Sequence, residues 1–243
     1  MQVLGFKGRL RAGILADVVK AASVIAWEVR AHFDEGLHIR AVNPENVAMV
    51  IIDVRGSAFE SFNGKLTAGL DLDRLKNTIR AFSSRDIIDL EIGDRITLSN
   101  GRISYTLPLL KPESIRREPK VPNLELPAVV EIALEDFKKV VGLAEKISDA
   151  VVLQTDGEAF VMEAQGDMDS IRATFPSDKL VDYNGGEARS MFAVEYLKEF
   201  CKAAKPKDVL TIHLGNDYPA RFVLDGDDVR VEYILAPRIE TEG

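Results

Sequence analysis

The sequence predicts an α+β protein of two similar domains, and three observations predict it. The first is an internal repeat. Leu15, Val18, Val19 and Ala22 return as Phe137, Val140, Val141 and Ala144, and Leu72 and Leu75 return as Val194 and Leu197, each at an offset of 122 residues. The run 81–92 (AFSSRDIIDLEI) aligns with 203–214 (AAKPKDVLTIHL) at the same shift. A period of that size is a duplicated domain, not a stack of short solenoid units. The second observation is four segments whose apolar residues recur at helical spacing. The third is a series of short apolar runs separated by Gly paired with Asn or Asp, the punctuation of antiparallel strands. Strands joined by tight turns, with helices on one face, make an α+β layout.

The elements follow in order. Segment 13–24 is expected as a helix, with Ile14, Leu15, Val18, Val19 and Ala22 on one stripe. A strand is expected at 47–54. A second helix over 71–82 buries Leu72, Leu75, Ile79 and Phe82, and Asp71 and Asp73 sit at its start, where the helix dipole favours acids. Strands are expected at 87–92, 96–98 and 103–110. The third helix, 135–147, carries Phe137, Val140, Val141, Ala144 and Ile147 behind Glu135 and Asp136. Strands at 151–155 and 171–175 precede the fourth helix, 194–205, with Val194, Leu197, Phe200, Cys201 and Ala204. Strands at 209–214 and 229–235 close the series. Asn63-Gly64, Asn100-Gly101, Asp156-Gly157 and Asp225-Gly226 are expected as hairpin turns. Each half thus holds two helices and eight or nine strands, roughly.

The 243 residues suffice for two domains with separate cores. Their expected bounds are 1–110 and 128–243. The stretch between, 111–127, holds Pro112, Pro119, Pro122 and Pro127 and reads as an extended connector. Its apolar residues Ile115, Val121, Leu124 and Leu126 need cover from the domains or a partner.

A net charge of −8 argues against nucleic acid when taken as a whole. Its distribution reverses that. The four expected helices hold ten basic and eight acidic residues, a balance of +2 that leaves −10 for the rest of the chain. Lys20, Arg74, Arg80, Lys138, Lys139, Lys146, Lys198 and Lys202 lie away from the apolar stripes. They form the set expected to face phosphates, which a cationic helical face attracts without reading bases.

Catalytic signatures are missing from the sequence. It contains no phosphate-binding loop and no dinucleotide fingerprint. His32 and His213 lie in strand-like runs without neighbouring Cys or paired carboxylates and read as packing or surface residues. Cys201, on an apolar helix face, reads as a small buried hydrophobe. Asp225-Gly226-Asp227-Asp228 lacks the other ligands of a calcium loop, and Gly185-Gly186 reads as a turn. The expectation is a protein that is not an enzyme and holds no metal or cofactor. A single cysteine, no apolar stretch of 18 residues and no signal-like N-terminus point to the cytoplasm and away from membranes.

The run 231–240 (VEYILAPRIE) resembles the C-terminus of the sliding clamp family of proliferating cell nuclear antigen. The resemblance extends through 36–42 (GLHIRAV) and 124–127 (LELP), and 184–192 (NGGEARSMF) resembles the archaeal branch. It implies a homotrimeric ring around duplex DNA, with helices lining the hole and sheets outside. Strand 103–110 would pair with strand 170–175 of the next copy, through Ile103, Tyr105, Leu107, Ile171, Arg172 and Phe175. A pocket for short partner peptides would use Val42, Val47, Met49, Leu124, Leu126, Pro219, Ile234, Ala236 and Pro237. Ile234 stands where eukaryotic members commonly carry an aromatic, which alters the pocket floor. Implied partners are DNA polymerase, clamp loader, flap endonuclease and DNA ligase, with the protein associated with the chromosome (in a nucleus if the source is eukaryotic). The competing readings are a subunit of a mixed or checkpoint-type ring and a duplicated α+β enzyme.

Overall fold

The computed structural model describes residues 5–205 and 207–239; Pro206 of the repeated run and Glu240 of the C-terminal motif lie outside the described residues. The described residues group into two compact units, one of residues up to Lys120 with Asp225–Val231, the other of Val121–Leu224 with the residues from Glu232 onward.

The first unit begins with β1 (Phe6–Arg11), α1 (Ala12–Ala22), β2 (Glu28–Phe33), β3 (Leu37–Val42) and β4 (Ala48–Val54). It continues with β5 (Phe59–Asn63), β6 (Leu66–Asp71), α2 (Leu72–Ile79), β7 (Ile87–Ile92), β8 (Arg95–Ser99) and β9 (Ser104–Pro108). One sheet runs β5-β1-β7-β8-β9, every pair antiparallel. In the other, β4, β3, β2 and β6 are successive antiparallel neighbours. Strict alternation in β1, buried at Phe6, Gly8 and Leu10 and exposed between them, places one face on the core. The apolar stripes of α1 and α2 are buried, and the two helices pack on each other. Phe6 sits at the centre with its ring 5.0 Å from Phe33 and 6.0 Å from Phe59.

The second unit repeats the plan with β10 (Ala128–Ala133), α3 (Leu134–Ala144), β11 (Ala150–Thr155), β12 (Ala159–Gln165) and β13 (Ser170–Pro176). Then come β14 (Asp182–Asn184), β15 (Ala188–Ala193), α4 (Val194–Ala203), β16 (Val209–Leu214), β17 (Ala220–Asp225) and β18 (Val229–Leu235), whose residues the two units share. One sheet runs β13-β12-β11-β15; in another β14, β10, β16 and β17 are successive neighbours. Phe222 lies among Phe137, Phe192 and Phe200, and the Phe200 ring stacks on Tyr233 at 4.1 Å.

The sequence expectation departs from the structure in three places. All four helices stop short of their expected ends. Beyond Ile79 the chain tightens through Ala81 N to Thr78 O and Phe82 N to Ile79 O bonds, so Phe82 is buried without being helical. Ala204 ends α4 with extended backbone. Asn63-Gly64 is a turn, with Gly64 at φ +92°, but not a hairpin: β5 pairs with β1 and β6 with β2, so the chain there changes sheets. Ile103 lies outside β9, in the turn before it, where Asn100 Oδ1 accepts its N–H at 3.0 Å.

Candidate nucleic-acid and partner interfaces

The shorter helices redistribute the positive charge. Within their observed bounds they hold seven basic and six acidic residues, so they are +1 and not +2. The missing cations have moved to the helix C-terminal ends. Arg80 caps α2, and Lys146 follows the Glu145 cap of α3. A cation there faces the negative end of the helix dipole. Lys20 occupies the last turn of α1.

The expected phosphate-facing residues divide into two kinds. Arg74 Nε lies 3.2 Å from Asp71, Lys198 pairs with Glu145 and Lys202 with Glu199. Lys20, Arg80, Lys138, Lys139 and Lys146 are exposed with no carboxylate within 4.0 Å among the described residues. All of these cations are exposed except Lys198, which is half-buried. Both cations of α4 are therefore compensated by carboxylates, and the uncompensated charge sits on α1, α3 and the ends of α2 and α3.

The two strands expected at ring joints are both sheet edges. β9 ends the five-stranded sheet and β13 ends the four-stranded one. β9 is exposed along nearly its whole length, with Tyr105 at 46% and the preceding Ile103 at 42%. Tyr105 and Leu107 lie opposite the buried Leu98 and Ile96 on β8 and so extend the core face beyond its cover. On β13, Ile171, Ala173 and Phe175 are half-buried and their neighbours exposed; the Phe175 ring lies 6.2 Å from Phe160. Arg172 is on the opposite face, paired with Glu163. Open backbone edges of this kind demand a partner or protection.

The expected peptide-pocket residues fall in both units. In the first, Val42 and Met49 are register partners across β3 and β4, and Val47 is exposed in the preceding turn. Asn43 Oδ1 builds that turn by accepting the N–H groups of Val47 and Ala48, each at 3.0 Å. In the second unit, Leu124 and Leu126 alternate with exposed Asn123 and Glu125 along an extended chain. Pro219, Ala236 and Pro237 are half-buried, whereas Ile234 is only 5% exposed and belongs to the core.

Sequence reasoning missed how the first half of the connector is held. Leu110 bridges Gly69, Arg30 Nη2 donates to Ile115 O at 2.8 Å, and Arg116 Nη1 donates to Asn43 O at 2.8 Å. Ile115 is buried, while Val121 is exposed. Gly69 makes this possible, because a Cβ there would stand 2.4 Å from Leu110 O. The histidines also have partners the sequence hid. His32 meets Glu118 and Thr67, and His38 Nδ1 lies 2.7 Å from Asp53 with Asp34 at 3.3 Å from Nε2. Apart from the Asp34 contact, which is four residues away, these contacts span 15 to 86 residues, beyond any local spacing rule. No group of three His, Cys, Asp or Glu side chains able to hold a metal occurs among the described residues. Burial pushes the Cys201 thiol up to about 12 and raises the Tyr233 hydroxyl further, so neither is poised for nucleophilic chemistry.

Residues 120–239 match the family model for the C-terminal domain of proliferating cell nuclear antigen. The chain is 47% identical to the DNA polymerase sliding clamp of Archaeoglobus fulgidus, over 94% of this chain and 96% of that protein. It is 38% identical to the DNA polymerase sliding clamp of Methanococcoides burtonii, over 98% of this chain and 100% of that one. A solved structure of the A. fulgidus clamp with the C-terminal region of FEN-1 bound superposes with a TM-score of 0.93, at 44% identity, covering 98% of this chain and 100% of that one. The repeat, the four helices over antiparallel sheets and these likenesses lead to one conclusion: the chain belongs to the proliferating cell nuclear antigen family of sliding clamps.

Proposed function

We propose that this chain is a DNA sliding clamp that closes with two further copies of itself into a ring around duplex DNA. The observation that carries the ring is the pair of open edges. β9 and β13 end separate sheets in separate units, and both present apolar side chains beside unpaired backbone. Joining one copy's β9 to the next copy's β13 is a head-to-tail contact, which makes a closed ring when its rotation closes. It would cover Ile103, Tyr105 and Leu107 with Ile171 and Phe175, and Arg172 would flank the joint.

The exposed Lys20, Arg80, Lys138, Lys139 and Lys146 would meet phosphates from within the ring. Arg74, Lys198 and Lys202, already paired with acids, would contribute weaker attraction. Modest, sequence-blind attraction suits a protein that must move along DNA, because tight contacts would stall it. Retention would come from encirclement. The role is a non-catalytic scaffold: by binding short peptides near Val42, Val47, Met49, Leu124, Leu126, Pro219, Ile234, Ala236 and Pro237, it would raise the local concentration of polymerase, clamp loader, flap endonuclease and ligase. The FEN-1 segment bound to the A. fulgidus relative supports the endonuclease.

Mass measurement in dilute solution tests the ring. A particle of three 26.8 kDa chains is expected. A particle of one chain, with a ring formed only on adding a different clamp subunit, would assign the chain to a mixed ring instead.

A further inference from the structure

We propose a second peptide site, in the first unit alone, that takes a short acidic segment carrying one bulky apolar side chain. The α1–β2 turn, β2, β3 and the start of the connector enclose an open groove of about 350 Å³. Ile25, Val29 and Ile115 make its floor apolar. Trp27 stands at its side with 70% of its surface in water. Four arginines border it, Arg30, Arg40, Arg116 and Arg117, against one acid, Glu28. In a chain of net charge −8 this is a strong local reversal.

The arginines are not equivalent, and that selects the ligand. Arg116 donates to Asn43 O and Asn46 Oδ1, and Arg30 Nη2 to Ile115 O, so both guanidiniums are largely used in holding the connector. Arg40 and Arg117 are exposed at the rim with no carboxylate within 4.0 Å among the described residues. Arg30 Nε is buried and has no acceptor among the described residues, a donor that a carboxylate entering the groove would satisfy. An apolar floor, two free cations and an unused buried donor match one apolar anchor flanked by carboxylates. Single-stranded nucleic acid would use Trp27 for stacking, but it needs a cationic track along its backbone and leaves the apolar floor unfilled. Of the residues expected for the partner-peptide pocket, only Val42 borders this groove.

Trp27 is the single tryptophan, so its emission reports the groove directly in the unmodified protein. The probe is the capped peptide Asp-Glu-Phe-Glu-Asp. A saturable change in Trp27 emission is expected, weakening about tenfold when every acid is replaced by its amide and weakening as salt rises from about 50 to 500 mM. The double variant R40E/R117E, at exposed positions, is expected to lose binding by at least about tenfold with unchanged circular dichroism. No response up to about 1 mM peptide, equal binding of the amide peptide, or unchanged affinity in the double variant would overturn the site. A response to oligothymidylate with none to the peptide would overturn it in favour of nucleic acid.

Discussion

At the scale of single residues, a few side chains hold distant parts of each unit together. Gly69 lets the connector approach β6. Gly69→Ala would set a Cβ 2.4 Å from Leu110 O and 2.8 Å from Ile115 Cδ1, so a loss of about 1–3 kcal/mol is expected in denaturant unfolding. Asp225 joins Arg55 and Arg230. Burial alone would raise its pKa, yet hydrogen bonds from both arginines hold it below the usual carboxylate range. Its contribution to stability is therefore complete above its unfolded pKa of about 3.9 and is lost as pH falls through the lower folded value. Asp225→Asn should leave a flatter acid limb in a plot of Tm against pH; an unchanged limb would remove this carboxylate from the acid response. Cys201, with its thiol at about 12, should resist alkylation at about pH 8 while the chain is folded and react on unfolding. Fast labelling of native protein would contradict its burial.

At the scale of elements, helices and edges divide the work. Asp71 caps α2 by accepting the Arg74 N–H at 3.0 Å, and Asp71→Ala should cost about 1 kcal/mol. The uncompensated cations are the ones to test for DNA. Reversing Lys20, Lys139 and Lys146 to Glu should weaken loading and polymerase stimulation while the oligomer keeps its mass. Full stimulation would take them out of the DNA-facing set. The proposed ring joint is best tested at Tyr105, which is exposed on the β9 edge and so removable without opening the core. Tyr105→Asp should reduce the particle to single folded chains; an intact trimer would move the joint elsewhere. Ile234 is unsuited to a test of peptide binding, since a charge at a buried position would unfold the chain. Leu126→Asp and Val47→Asp, at less buried positions, probe the pocket instead.

At the scale of the whole molecule, periodicity made the repeat and the four helices legible. An apolar stripe marks which residues are buried, and it continues through a tightened last turn as readily as through an α-helix. That is why Phe82 is buried, as its place on the stripe predicts, although α2 ends at Ile79. Alternation likewise placed eight of the eighteen strands seen among the described residues, but not their sheets. Asn63-Gly64 has correct turn chemistry, yet no local signal says that β5 and β6 belong to different sheets. The groove beside Trp27 and the pinning of Ile115 arise from residues that meet only after folding. Within the observed helices the charge balance stays positive but falls to +1, since the helix ends carry much of the excess. The central claim is encirclement, and loading the protein onto closed circular DNA and then cutting the circle once tests it most directly. The loaded protein should remain on the circle through a high-salt wash and leave within minutes once ends exist, unless those ends are blocked. Release from the uncut circle in salt, or retention on cut DNA with free ends, would contradict it.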